Sequence, residues 1–595
     1  MGNLNTITTG GQFLISQSDA ANIFIPEQYS EEQKLIADSC DDFVKKEITP
    51  ILERIDNKED GLMVSLIDKA ADLGFLGIHV AAQYGGFEMN YITSLLATEK
   101  LGASHSFAVS FAANTGIGMT PIMYYGNEEQ KKKYLPKMVS GEWKACYCLT
   151  EPGSGSDANS ARTKAVLSDD GKYYILKGQK MWVTNSGFAQ VMIVFAKIEN
   201  DALLSAFIVE KSFGGIQLMP EEHKMGIKGS STRQIFFNDC KVPIENLLSE
   251  RQQGFKIALN ILNMGRVKLA AGTTGAGKET ISYSVQYANE RHQFGKSISQ
   301  FGAIKHKLGE QAVRVFAGES ALYRTANYIE LAIVQHIASG KAKSEAILKA
   351  VEQFAPEASI LKVYCSEALN YVVDEGVQIY GGMGYSSEAP MDRSYRDSRI
   401  NRIFEGTNEI NRMLIVDMIL KRALKGELDL MGPAMKIQGE LMSVPSADST
   451  DDSIFAQEKK YIANFKKSVL LIAGVAVQRF LNKIGEEQEI LINIADMIID
   501  TYISESVLLR TEKLVLLKVE NENSEKPAMM RVFVNDAADR IFKNGKEATN
   551  AFASGDEQKM ILLGLKRFTK TEPFNAKEAR RYIADKLIEK NGYCF

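Results

Sequence analysis

The 595-residue chain reads as mainly α with a central antiparallel β domain and a further helical segment towards its C-terminus. Three observations predict this. Apolar residues recur at helical spacing from Ser30 to about Ser140 and again from Gly254 to about Lys425. Between these regions, from Ala145 to about Pro243, short runs rich in Val, Ile, Phe and Tyr are bounded by Asp-Gly and Gly-Gly turns. A stretch rich in Gly, Pro, Ser and Asp then sets off a last helical part. The expected boundaries are 1–144, 145–250, 251–425, a linker at 426–452, and 453–595.

In the first region Leu35, Ile36, Phe43 and Val44 mark a helical stripe, and Gly85-Gly86 and Gly126-Asn127 read as turns. The middle runs are "RTKAVL", "YYILKGQKMWV", "VMIVFAKI", "SAFIVEK" and "RQIFFNDCKV". No ten-residue helices alternate with them, so a barrel or sandwich is expected and not a Rossmann unit. In the third region "GFKIALNILNMGRVKLAAG" places Phe255, Ala258, Leu259 and Leu262 on one stripe. "GELDLMGPAMKIQGELMSVPSADSTDDS" shows no periodicity and reads as a linker. The extension opens with "EKKYIANFKKSVLLIAGVAVQRF", where Lys466 and Lys467 precede an apolar core.

A formal net charge of −4 gives no general pull towards nucleic acid or anionic membrane. Six scattered cysteines are not a disulfide framework, and Cys146 and Cys148 form a C-x-C inside a strand-like run. A reducing, cytoplasmic compartment of a bacterium is expected. The first basic residue is Lys34, so no signal or transit peptide is expected. "MGNLNT" matches a myristoylation pattern at Gly2, but that short pattern presupposes a eukaryotic enzyme and is set aside. The longest strongly apolar run, Val469 to Val477, falls short of the roughly 20 residues a bilayer needs. A soluble protein is therefore expected. The six histidines show no ligand spacing, and no metal site is expected.

Two motifs fail. "GTTGAGKE" has Glu279 where a P-loop needs a magnesium-binding hydroxyl, and it lies in a helical stretch. "GGMGYSS" ends in Ser387 where a dinucleotide fingerprint needs its third glycine.

Two others carry chemistry. In "CYCLTEPGSGSD", Gly153 and Gly155 let backbone N–H groups approach a ligand, while Thr150, Ser154 and Ser156 offer hydroxyls. That loop suits a phosphate or a polar ring edge, although a flexible β-connection would read the same. "KMWVTNSG" holds one of only two tryptophans. On a strand Trp182 and Thr184 face one side, an indole and a hydroxyl for a flat cofactor, or simply a core tryptophan.

Taken in order, "CLTEPGSGSD", "KMWVTN", "ERHQFGK", "QIYGGMGY" and "RIFEGTNEINR" resemble the acyl-CoA dehydrogenase flavoprotein family from about Ser30 to Lys425. The long extension makes the chain most similar to the very-long-chain subgroup. The resemblance implies a helical domain, a β-barrel domain and a four-helix bundle, with FAD between the last two. Tyr147, Leu149, Thr150 and Ser156 would hold the flavin and its pyrophosphate, and Trp182 and Thr184 would line the ring. Arg291 and Gln293, with Gln378, Gly381 and Gly382, would reach FAD across a subunit boundary, which implies at least a homodimer. Arg is apt there, since its fork binds phosphate oxygens bidentately. Thr407 and Glu409 would touch FAD near a helix start.

By the same resemblance Glu405 is the catalytic base. It would take the α-proton of a fatty acyl-CoA thioester while the β-hydrogen passes to FAD as hydride, the first step of β-oxidation. Ser156, Asn263, Arg266 and Gly406 would contact the acyl-CoA, although the family commonly has aspartate where Asn263 stands. Gly265 occupies the place where another subgroup carries its catalytic acid, so the base is expected on the "EGT" side. Phe404 and the acyl chain should desolvate Glu405 and push its pKa up. Electrons would pass to an electron-transferring flavoprotein. An acyl-CoA oxidase and a flavin-binding assembly scaffold are the alternatives. The extension is expected either to touch a membrane or to pack on the core or a second subunit.

Overall fold

The computed structural model describes residues 9–441 and 453–595. Gly2 and residues 442–452 of the expected linker lie outside the described residues.

Local chemistry starts the N-terminal helices where the sequence asks for them. Ser30 and Gln33 form a reciprocal capping box at the start of helix Glu31–Phe43, and Asn127 and Gln130 do the same for Glu128–Val139. Each begins with two glutamates, which the positive end of the helix favours. Leu35, expected on the buried stripe, is instead exposed.

The middle region forms one sheet. Its strands are β1 (Ala145–Cys148), β2 (Lys164–Leu167), β3 (Tyr173–Thr184), β4 (Val191–Ile198), β5 (Ser205–Glu210), β6 (Ile216–Glu221), β7 (Thr232–Pro243) and β8 (Leu247–Leu248). The order is β6-β7-β3-β2-β4-β5-β8, with β1 also on β4. Pairing is antiparallel except that β1 and β2 both run parallel to β4. Strand β6, "IQLMPE", has too weak an alternation to stand out in the sequence. β4 is buried on both faces, which is why it reads as a continuous apolar run. Cys146 and Cys148 lie on one side of β1 as reduced, buried thiols.

Four helices, Gly254–Glu290, Gly302–Ala338, Ala355–Tyr380 and Asn408–Leu424, pack into a bundle against this sheet. "GTTGAGKE" lies inside the first of them. The stripe expected there is shifted. Ile257, Ala258, Ile261 and Met264 are buried, while Leu259 is 38% exposed. Sequence periodicity gave the helix but misplaced its phase, because the helix has neighbours on more than one side.

The remaining helices are Ala456–Phe480, Gln488–Leu516, Glu525–Phe552, Gly555–Phe568 and Ala576–Lys590. They pack on the core, one of the outcomes expected for the extension. Gln488–Leu516 packs on two bundle helices, and buried ion pairs cross the boundary: Arg324 to Glu505 at 2.6 Å and Arg510 to Glu319 at 2.8 Å. Breaking one such pair would leave a buried charge uncompensated, so these contacts fix the docking geometry. The expected linker is also partly ordered. Residues Met431–Leu441 form a helix, with the Asp429 carboxylate accepting the Gly432 N–H near its start and Ile437 in the core.

By length and composition one helix among the described residues, Ala456–Glu486, could cross a membrane, which single runs of apolar residues had not indicated. Here Lys466 on that helix forms a buried ion pair with Glu505.

Candidate active site

The "RIFEGTNEINR" segment links a 3₁₀ turn, Arg399–Arg402, to helix Asn408–Leu424. Glu405 and Gly406 both adopt left-handed backbone, at φ 58° and 81°. Such a conformation is unusual for glutamate and is held by its surroundings. Arg266 Nε donates to the Glu405 carbonyl at 3.2 Å. The Asn411 amide donates to the Gly406 and Thr407 carbonyls at 2.8 and 3.0 Å, and Lys362 Nζ donates to the Gly406 carbonyl at 2.7 Å. Thr407 caps the helix, accepting the Ile410 N–H at 3.3 Å. Asn263 sits one turn from Arg266, and its side-chain oxygen accepts from Arg266 Nη1 at 2.7 Å.

This scaffold turns the Glu405 side chain inward. Its Oε2 is buried and takes no hydrogen bond from any described residue. Desolvation pushes its pKa up to about 7, while the charges of Arg266 and Lys362 pull the other way. The carboxylate rests against Gly265, which leaves it room.

Glu405, Gly265 and Thr184 line one cavity, which encloses about 1390 Å³ including its open mouth. Its floor is one face of helix Gly254–Glu290: Gly265, Leu269, Gly272, Thr273, Ala276, Thr280 and Tyr283. The facing wall, from the N-terminal domain, mixes small residues (Gly102, Ala103, Ala108, Ala112, Ala113 and Gly116) with the larger Leu101, Phe111 and Ile117. At one side His105, in left-handed backbone, meets Asp397 through Nδ1 at 3.0 Å, and Asp397 also accepts the Ile227 N–H. Through these contacts His105, Ile227 and Asp397 bring all three domains together at the cavity that Glu405 also lines.

The glycine-serine loop lies at the end of β1. Tyr147 has a buried hydroxyl without a hydrogen bond from the described residues, and its pKa is pushed up by burial and then by the charge of Glu405. Leu149 is buried, Thr150 half-buried and Ser156 exposed. A methyl at Gly153 or Gly155 would meet nothing within 4 Å. Beneath the loop Lys180, 0% exposed, donates to the Leu149 carbonyl at 3.0 Å and to Glu151 at 2.7 Å. Glu151 in turn accepts the Arg162 and Thr163 N–H groups. Trp182 lies in a bulge of β3, at φ 58°, and is 52% exposed without lining the cavity.

Arg291, Gln293, Gln378, Gly381 and Gly382 are not brought to this cavity within the chain. They gather instead at one end of the bundle, where Tyr287 and Tyr380 stack with ring centroids 4.0 Å apart. All five are exposed, beside Phe294 and Tyr385, which are 92% and 90% exposed. Glu409 is exposed in the first helical turn.

The order of these parts matches the descriptions "Acyl-CoA dehydrogenase, N-terminal domain" over residues 30–142 and "Acyl-CoA dehydrogenase, middle domain" over 146–240. Two descriptions "Acyl-CoA dehydrogenase, C-terminal domain" match 252–420 and 464–567. The chain belongs to the acyl-CoA dehydrogenase family. A Bacillus subtilis protein named "Probable acyl-CoA dehydrogenase" is 44% identical over 99% of this chain and 98% of its own length. The mouse mitochondrial very long-chain specific acyl-CoA dehydrogenase is 37% identical over 68% of this chain, which spans 59% of it. A crystal structure of an acyl-CoA dehydrogenase complexed with FAD from Bacillus anthracis superposes with a TM-score of 0.96. That chain is 44% identical, with 99% of this chain and 100% of that one covered.

Several residues that shape this acyl-CoA dehydrogenase site escaped the sequence reading. Lys180 and Glu151 sat inside motifs already singled out. Asn411 also sat inside a quoted motif, whereas Lys362, His105 and Asp397 gave no signal, since their partners lie 44, 292 and 170 residues away.

Proposed function

We propose that this chain is an FAD-dependent dehydrogenase of long-chain fatty acyl-CoA thioesters. It would form the trans-2-enoyl-CoA in the first step of β-oxidation and pass electrons to an electron-transferring flavoprotein. One observation carries this reading: the unbonded carboxylate of Glu405, held over Gly265 at the wall of a long cavity.

The chain's own atoms fit FAD. Tyr147 Oη, Glu405 Oε2 and Arg402 Nε are buried without partners among the described residues, and the open Gly153–Gly155 loop can bring N–H groups to phosphate. Tyr147, Leu149, Thr150, Ser156, Trp182, Thr184, Thr407 and Glu409 are the residues proposed to hold it. When bound, FAD would accept the hydride leaving the β-carbon.

Glu405 acts as the base. With its pKa near 7, a useful fraction is ionised at neutral pH, yet it is basic enough to take a proton from carbon. The Glu405 backbone N–H, bonded to no described residue, is available to the thioester oxygen as enolate-like charge develops. One such donor is typically worth about 3 kcal/mol of barrier. Asn263, Arg266 and Gly406 do not themselves line the cavity; Arg266, held by Asn263, fixes the loop through the Glu405 carbonyl.

The long-chain preference is supported by cavity length. From Gly265 to Tyr283 the helical floor runs roughly 27 Å at 1.5 Å per residue, facing a wall where Leu101, Phe111 and Ile117 stand among Gly and Ala. The exposed Arg291 to Phe294 hairpin and Gly381 to Tyr385 turn support a homodimer in which each subunit completes its neighbour's FAD site. Reduced, buried cysteines support a cytoplasmic setting.

The test is an anaerobic titration of the FAD-loaded protein with acyl-CoAs of rising chain length, following oxidised flavin absorption. Bleaching by long chains is expected, without peroxide during aerobic turnover. Flavin that no acyl-CoA reduces would overturn the reading.

A further inference from the structure

The C-terminal segment reaches the catalytic loop through an unbroken line of polar contacts. Asp496, on helix Gln488–Leu516, accepts Arg412 Nε at 2.7 Å. The two other Arg412 nitrogens grip Glu367, at 2.7 and 2.9 Å. Glu367 also accepts the Asn408 amide at 2.9 Å. The Asn408 side-chain oxygen accepts Lys362 Nζ at 2.6 Å, and the same ammonium donates to the Gly406 carbonyl at 2.7 Å. Gly406 follows Glu405 directly.

Two consecutive left-handed residues have little intrinsic reason to hold one shape, so the contacts on their carbonyls set the aim of the Glu405 side chain. Lys362 is one of those contacts, and Asn408 orients it. Arg412 presents a planar fork that Glu367 alone would leave free to pivot, and Asp496 closes its third side. Burial pushes Asp496 above its ordinary pKa even beside Arg412, so keeping this carboxylate here is costly. Around Glu405 the line also balances charge: Glu405, Glu367 and Asp496 against Arg266, Lys362 and Arg412.

We propose that Asp496 is a positioning residue for Glu405, so that the C-terminal segment sets the aim and ionisation of the base through Arg412, Glu367, Asn408 and Lys362. This rests on the role of Glu405 proposed above.

The experiment compares FAD-loaded full-length wild type with Asp496→Asn, Asp496→Glu and Asp500→Asn. Asp500 lies one turn along the same helix and lines the same inter-helix cavity, but its carboxylate bonds to Arg540 and not to this line. Three quantities are read: the rate of anaerobic flavin reduction against pH, the acyl-CoA dissociation constant, and hydrogen exchange of residues 402–411. Asp496→Asn should slow reduction about tenfold, as small misplacements of a reacting group do. It should also speed exchange in that loop and leave acyl-CoA binding unchanged. Losing one negative charge favours ionised Glu405, so the pH midpoint should move down. Asp496→Glu should restore the rate, and Asp500→Asn should change none of these. Wild-type rate and exchange in Asp496→Asn, or equal slowing by Asp500→Asn, would overturn the proposal. If no acyl-CoA reduces even the wild type, the base reading itself fails, and unchanged loop exchange would then still refute the link.

Discussion

Glu405 and Gly265 touch so closely that a methyl group on Gly265 would stand 2.8 Å from Glu405 Oε2 and 3.0 Å from its Cδ. The residue without a side chain thus makes the seat for the carboxylate. The two lie 140 positions apart and meet only because helix Gly254–Glu290 passes under the catalytic loop.

Gly265→Ala should therefore displace the carboxylate without disturbing the helix, where alanine is the better former by about 1 kcal/mol. We expect flavin reduction by acyl-CoA to fall at least tenfold while the melting temperature holds or rises. Stopped-flow reduction and thermal unfolding on the same preparation decide it.

If Glu405 is the base proposed above, the rate of reduction should rise with pH through about 7 and then level, because a carboxylate accepts a proton only when ionised. At pH 5 a base of that pKa is ionised about a hundredfold less than at its plateau, and the rate should follow. Glu405→Gln should be slow and lose this rise. A midpoint near the ordinary carboxylate range would contradict the desolvated geometry.

The same pKa bears on stability, with a definite sign. Glu405 is raised in the folded state, so between the ordinary carboxylate pKa and about 7 the native protein holds more protons than the unfolded chain. This group's contribution is full at low pH and is lost as pH rises through that window. Glu405→Gln should thus stabilise the protein at pH 8 relative to wild type and do little at pH 5. Denaturant midpoints at the two pH values measure it.

Lys180→Met should uncover the price of the buried pair beneath the glycine-serine loop. Glu151 would be left without its cation, a loss of roughly 3–5 kcal/mol. FAD content should fall in parallel, since the Leu149 carbonyl loses its donor. Adding Glu151→Gln should recover part of the stability. Urea unfolding and the flavin-to-protein absorbance ratio report the two effects.

The order of helical, β and helical regions was legible in the sequence because each rests on local pattern: period, turn residues, and caps such as Ser30 and Asn127. Glu405, Thr184, Asn263 and Arg266 could be named there because their motifs are contiguous. The phase of the Gly254–Glu290 helix was not legible, since burial on several sides overrides a simple stripe, nor was the helix at Met431–Leu441, whose Gly432, Pro433 and Gly439 read as a linker. Only the tertiary structure decided what suits Glu405 to the proposed role of base: its raised pKa comes from burial, and burial is a property of the packed chain. It also decided that the C-terminal helices are bound into the core by Arg324, Glu505, Arg510 and Glu319. A charged side chain looks the same in sequence whether water or a partner 181 residues away neutralises it, and only folding chooses between them.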